Sequence, residues 1–77
     1  MNNIKYSKRV DAMANIYRAS YCIAKNDFKN GIIFIKKSLP LIDDDNRKLI
    51  NSILKDKTDN RITAEKLCDI YLRMKTF

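Results

Sequence analysis

The chain has 77 residues, of which 45% are hydrophobic and 32% charged, with one Gly and one Pro. This composition excludes a disordered linker and a turn-rich β-sandwich, and the length predicts one domain near the lower limit for a self-sufficient hydrophobic core. Sixteen Lys and Arg against nine Asp and Glu give a net charge of +7. We therefore expect one basic, all-α domain over residues 1–77.

The positive charge is concentrated in the first half of the chain. Residues 1–42 hold eight Lys and Arg against two Asp, a net charge of +6, whereas residues 43–77 hold eight against seven, a net charge of +1. Such a field attracts phosphate backbones, anionic lipid headgroups or acidic protein surfaces. It also keeps a small protein in solution without any partner. The charge alone does not choose among these roles.

The first predicted helix spans about residues 4–25 and carries two apolar stripes. Placed at 100° per residue, the larger apolar side chains form the stripe that we predict to face the core: Tyr6, Val10, Met13, Ala14, Tyr17, Tyr21 and Ala24. A second stripe lies beside it and consists of Ala12, Ile16, Ala19 and Ile23. A helix with two apolar stripes contacts two neighbours. The second neighbour is either another part of this chain or a binding partner.

Residues 28–39 predict a second helix, antiparallel to the first, with Asp27 as its N-cap. Its inward residues recur at helical spacing: Phe28, Ile32, Ile35 and Leu39. A strand is the rival because the segment 31–35 is rich in β-branched residues, but no other segment alternates with period two to pair with it. Ile33 and Phe34 fall off the core stripe. They either pack against a further helix or form an exposed contact surface.

Two further helices are predicted at about residues 44–56 and 63–75. Pro40 ends the second helix, and the acids at 43–45 suit the positive end of the third helix dipole. Thr63 is the predicted N-cap of the fourth helix. The predicted inward residues are Leu49, Ile50, Ile53 and Leu54 in the third helix and Ala64, Leu67, Cys68 and Tyr71 in the fourth. Four helices with short links predict a small antiparallel four-helix bundle or two stacked helical hairpins.

The residues that catalysis and metal binding require are scarce. The chain has no His and no CxxC pair, and its four Ser lack an evident base. The acids at 43–45 lack the glycine and distal Glu of an EF-hand. We therefore predict no catalytic residue, no metal, no cofactor and no enzyme activity. The N-terminus lacks a signal-peptide core and no apolar run has transmembrane length, so we expect a cytoplasmic protein with free Cys22 and Cys68 and no membrane partner.

One segment carries a family resemblance. Asn26-Asp27-Phe28-Lys29-Asn30-Gly31-Ile32, with Ile35, Ser38, Leu39 and Pro40 after it, resembles the turn and second helix of a tetratricopeptide repeat. Ala19 stands where the first helix of that repeat has a small residue, and Gly31 replaces the usual Ala. The similarity covers residues 15–40 without a second copy, so we do not expect a repeat array. The resemblance implies a helical hairpin and a protein-binding role.

These observations predict a non-enzymatic protein that binds a partner with an acidic surface, as an inhibitor or adaptor. Ile, Lys and Asn have AT-rich codons and make up 30 of the 77 residues, so we hypothesise a gene from a low-GC bacterium or from a phage or other mobile element living in one. The predicted partner-binding residues are Lys8, Arg9, Ala12, Ile16, Arg18, Ala19, Ile23, Lys25, Lys29, Phe34, Lys36 and Lys37. The alternative is nucleic-acid binding by the same basic half, and homodimerisation through the second stripe is also open.

Overall fold

A computed structural model describes residues 8–56 and 59–75 of the chain. They form four α-helices, α1 (Lys8–Ala24), α2 (Phe28–Ser38), α3 (Asp44–Lys55) and α4 (Asn60–Lys75), with a 3₁₀ turn at Leu39–Leu41. The described residues contain no strand. The predicted all-α bundle is confirmed, and the segment 31–35 is helical. The part of the first predicted helix before Lys8 lies outside the described residues.

Helix α1 lies between α2 and α4 and runs antiparallel to both. The Ser20 hydroxyl donates a hydrogen bond of 2.9 Å to the carbonyl of Ala64, and the Arg9 guanidinium donates to the carbonyl of Met74. Earlier positions of α1 therefore meet later positions of α4. On the other side of α1, a link of three residues joins it to α2, so these two helices form a tight hairpin. Helix α3 adds two buried isoleucines to the same core.

The core contradicts the predicted orientation of α1. Its buried residues are those of the second stripe, Ala12, Ile16, Ala19 and Ile23, each 0% exposed. Tyr17 and Tyr21, predicted to face inward, are 52% and 57% exposed, and Val10 is also exposed. Small and β-branched residues on the inner side let two helices approach α1 at once, whereas a tyrosine is large and keeps its hydroxyl near water. The prediction of a tyrosine-lined core is wrong.

The hairpin between α1 and α2 is fixed by a cap and by a small residue. Asp27 is the predicted N-cap of α2, and its carboxylate accepts a hydrogen bond of 3.3 Å from the backbone N–H of Asn30. Gly31 is buried against α1, where an added Cβ would lie 2.5 Å from Cγ1 of Ile23. Of the predicted inward residues of α2, Ile35 is fully buried and the other three line the edge of the core.

A single arginine joins the end of α2 to α3. Helix α2 ends at Ser38, one residue before the 3₁₀ turn that holds Pro40. The Arg47 guanidinium donates to the carbonyls of Leu39 at 3.1 Å and Ile42 at 2.9 Å. It also pairs with the Asp44 carboxylate at 2.8 Å. The Leu39 carbonyl also accepts the 3₁₀ hydrogen bond of 3.5 Å from the backbone N–H of Ile42, so Arg47 reinforces this turn.

Helix α4 begins three residues earlier than predicted. The Asp59 carboxylate accepts a hydrogen bond of 3.0 Å from the backbone N–H of Arg61. The backbone carbonyl of Asp59 accepts a hydrogen bond of 2.9 Å from the backbone N–H of Thr63. Thr63 is therefore a buried residue of the first turns and not the N-cap. The predicted inward residues Ala64 and Leu67 are buried, but Cys68 and Tyr71 are only partly so, because Ile70 and Met74 occupy the inner side.

Candidate partner-binding site

An open groove runs along the outer surface of the hairpin formed by α1 and α2. Its volume is about 390 Å³, and it is lined by Tyr17, Arg18, Tyr21, Cys22 and Phe34. We call this set the aromatic groove. Four of its residues come from two successive turns of α1, and Phe34 lies across from them on α2. Three aromatic rings and a thiol give the groove largely apolar walls.

The groove is continuous with an apolar stripe on the solvent side of α1. This outer stripe consists of Val10, Ala14, Tyr17 and Tyr21. Their spacing of three or four residues places them on one side of the helix, over about 16 Å of its length at 1.5 Å per residue. The opposite side of α1 holds the residues buried against α2 and α4. The outer stripe therefore lies on the side of the central helix opposite its core residues.

Charged and aromatic side chains contact one another around the groove. The Lys25 Nζ lies 5.1 Å from the ring centroid of Tyr21, and the Lys37 Nζ lies 5.7 Å from that of Phe34. Both distances fall within the range of cation–π attraction. The Tyr17 and Tyr71 ring centroids are 5.3 Å apart, with ring planes inclined by 48°. Each of the three groove rings therefore has a contact within the chain that restrains its orientation.

Most cations of the hairpin form no ion pair with an acid of the described residues. Six of them are exposed and lie more than 4 Å from any carboxylate of the described residues: Lys8, Arg18, Lys25, Lys29, Lys36 and Lys37. One of the two acids of the hairpin, Asp27, uses its carboxylate to bond the backbone and side chain of Asn30. The outer surface of the hairpin therefore presents unpaired positive charge.

The predicted site residues separate into two groups. Ala12, Ile16, Ala19 and Ile23 lie in the core, so a folded chain cannot offer them to a partner. The cations and Phe34 lie wholly or partly at the surface, although the Arg9 guanidinium is bonded to the end of α4. Two predicted residues, Arg18 and Phe34, line the groove, and Lys25 and Lys37 contact its rings. We call Arg18, Lys25 and Lys37 the basic rim.

Sequence reasoning missed Tyr17, Tyr21 and Cys22 as surface residues of this site. It assigned both tyrosines to the core because they form the stripe with the larger apolar side chains. The signal that could have found them is the pair of small residues in the other stripe. Alanines at helical spacing, matched by Gly31 in the next helix, are typical of a close helix contact.

A second cleft lies between α3 and α4. It has a volume of about 320 Å³ and an apolar floor formed by Leu49, Ile53 and Ile70. Its charged lining residues are of both signs: Asp56, Lys66, Asp69 and Arg73. Unlike the aromatic groove, this cleft has no net charge to select a partner. Among the described residues there is no cluster of three His, Cys, Asp or Glu side chains suited to a metal ion.

The sequence matches no known protein family, and comparison with curated proteins and with solved structures finds no similar chain. Each helix within residues 8–56 and 59–75 is too short or too polar to cross a lipid bilayer.

Proposed function

We propose that this chain is a non-enzymatic binding protein whose α1–α2 hairpin holds a protein partner with an acidic surface. The observation that carries the proposal is the exposure of Tyr17 and Tyr21 beside cations that have no acidic partner in the described chain. Tyr, Phe and Arg are among the residues enriched in protein interfaces, and Tyr and Arg are often among the few that dominate the binding energy. An acidic partner would neutralise the basic rim and be steered to it over distance.

Single-stranded nucleic acid is the second candidate. The exposure of the tyrosines supports it, because bases stack on aromatic rings that lie beside cations. Against it, Lys25 lies over the Tyr21 ring and Lys37 over the Phe34 ring, so a stacking base would compete with a contact already present on one face of each ring. The apolar walls of the groove favour an aliphatic or aromatic side chain over a phosphate backbone.

A small binder of this kind acts by occupying a surface of its partner, as an inhibitor, or by bridging two proteins, as an adaptor. The abundance of Ile, Lys and Asn, whose codons are AT-rich, fits a gene of a phage or other mobile element. Self-association through the same surface is the remaining form of protein binding. All three share the prediction that contact is made at the outer surface of the hairpin.

Photo-crosslinking tests this function. A benzoylphenylalanine is placed at position 21 and, as a matched control, at the exposed Leu72 of α4, and both proteins are irradiated in the cells from which the gene derives. We expect a nuclease-resistant protein adduct from position 21 alone. Equal adducts from both positions would contradict a specific surface. An adduct that nuclease removes would favour nucleic acid, and an adduct of twice the chain mass would identify self-association.

A further inference from the structure

We propose that the aromatic groove receives one apolar side chain of an acidic segment, while the basic rim binds the carboxylates on either side of it. This inference rests on the proposed function and names the kind of partner that the same surface would take. It commits to an acidic peptide segment with a single aliphatic or aromatic anchor. Nucleic acid and a second copy of this chain are outcomes that the test distinguishes.

The aromatic groove is apolar and is shaped by contacts within the chain. Tyr17 and Tyr21 stand one helical turn apart on α1, and Phe34 closes the groove from α2. The rings are restrained by contacts with Tyr71, Lys25 and Lys37, so the groove exists before a partner binds. A preformed apolar groove costs little conformational entropy on binding. It is suited to one anchoring side chain, as in interfaces where a few buried residues supply most of the affinity.

The cations of the basic rim lie beside the groove. Arg18 lines the groove itself, Lys25 lies one turn beyond Tyr21, and Lys37 lies one turn beyond Phe34. The cations thus stand at separate places around one apolar centre. Charges at the edge of an interface raise the association rate and fix the register of the partner, whereas the apolar centre holds it. An anchor flanked by Asp or Glu matches both features.

Nucleic acid and a second copy of this chain fit the groove less well than an acidic segment does. A nucleic-acid strand needs open ring faces and a continuous track of cations, and each groove ring is already in contact with a side chain of its own chain. A second copy could offer its acids at 43–45, but the apolar residue next to them, Ile42, is buried in its own core. It therefore has no free anchor there. A segment from another protein can supply the acids and the anchor together.

Three labelled probes test the inference by fluorescence anisotropy against the full chain. The first is a glutamate-rich peptide with one central Phe, the second has Ala in place of that Phe, and the third is an oligothymidylate. We expect the anchored peptide to bind best, and the Ala peptide to bind about tenfold or more weakly because one buried aromatic side chain is lost. Analytical ultracentrifugation of the free protein records whether copies associate.

Variants of the chain locate the binding. Tyr21→Ala and Phe34→Ala remove walls of the groove and should weaken the anchored peptide about tenfold, whereas Tyr21→Phe and the control Leu72→Ala should change it little. Circular dichroism checks folding, and because Tyr21 is 57% exposed its substitution keeps the test valid if Phe34→Ala unfolds the chain. Lys25→Glu with Lys37→Glu should abolish binding of both peptides.

The outcomes separate the inference from the function on which it rests. Both peptides could bind equally, with binding unchanged by Tyr21→Ala but lost with Lys25→Glu and Lys37→Glu. That result would overturn the proposed anchoring side chain, while the proposed acidic partner would stand. Tightest binding of the oligothymidylate would overturn both. If neither peptide binds, the inference is overturned. It is also overturned if free copies of the chain associate and Tyr21→Ala abolishes that association.

Discussion

Gly31 lies at the contact between α1 and α2, where the structure leaves no room for a side chain. A Cβ added there would stand 2.5 Å from Cγ1 and 3.0 Å from Cδ1 of Ile23, and 3.3 Å from the carbonyl oxygen of Ala19. Carbon atoms in contact prefer about 3.5–4.0 Å, so the helices would have to separate by about 1 Å. Ile23 cannot move aside because it is β-branched and fully buried.

The sign of the Gly31→Ala effect therefore tests the packing of the hairpin. In an open helix position, replacing Gly with Ala would raise the free energy of unfolding by about 1 kcal/mol. Overpacking a core contact lowers it by about 1–3 kcal/mol. We expect the clash to prevail and the variant to lose up to about 2 kcal/mol, a large part of the roughly 4–11 kcal/mol expected for a chain of this length.

Urea unfolding followed by far-UV circular dichroism measures this change. Lys29→Ala, at an exposed position of the same helix, is the matched control and should alter stability little. In an Ile23→Ala background, with trimethylamine oxide present to keep the weakened chain folded, Gly31→Ala should become neutral or stabilising. A higher urea midpoint for Gly31→Ala in the otherwise unchanged chain would refute the close contact between α1 and α2.

Three further predictions concern other parts of the molecule. The anchored acidic peptide should slow alkylation of Cys22, which lines the groove, but not of Cys68, which serves as the internal control when labelling is followed by mass spectrometry. Arg47→Lys should lower the free energy of unfolding in urea by about 1–3 kcal/mol, because an ammonium cannot reproduce the guanidinium bonds to two carbonyls. A hydrogen bond from Asn46 holds the pKa of Asp43 below 3.8, so Asp43→Asn should reduce thermal stability at neutral pH, with the difference vanishing as the pH falls through that lowered pKa.

The helices could be predicted from the sequence because their signals are local. Asp27 caps α2 as expected, and Pro40 falls in the turn that ends it. The sequence predicts the start of α4 three residues late because Thr63 is a good N-cap by type, yet Asp59 accepts the hydrogen bonds from the backbone N–H groups of Arg61 and Thr63. The residue preferences of an N-cap do not decide between Asp59 and Thr63, because the exact start of a helix also depends on its tertiary contacts.

The orientation of α1 could not be predicted in the same way. Its two apolar stripes are about equally plausible as a core face, and the choice depends on what α2 and α4 present to it. The small Gly31 and the Ser20 hydroxyl bonded to Ala64 favour the stripe that includes Ala19. These contacts join residues of different helices. The periodicity of apolar residues within one helix carries no information about them. The basic surface was predictable, but its tyrosines were not.

The site at which an acidic segment binds distinguishes the aromatic groove from the rest of the surface. Amide NMR spectra of the chain are recorded while the anchored acidic peptide is added, and shift changes are mapped onto the helices. The account predicts changes concentrated at residues 17–22 and at Phe34, with Ile16 and Ile23 remaining protected from hydrogen exchange. Changes centred on the cleft between α3 and α4, or loss of protection at Ile16 and Ile23 on binding, would contradict it.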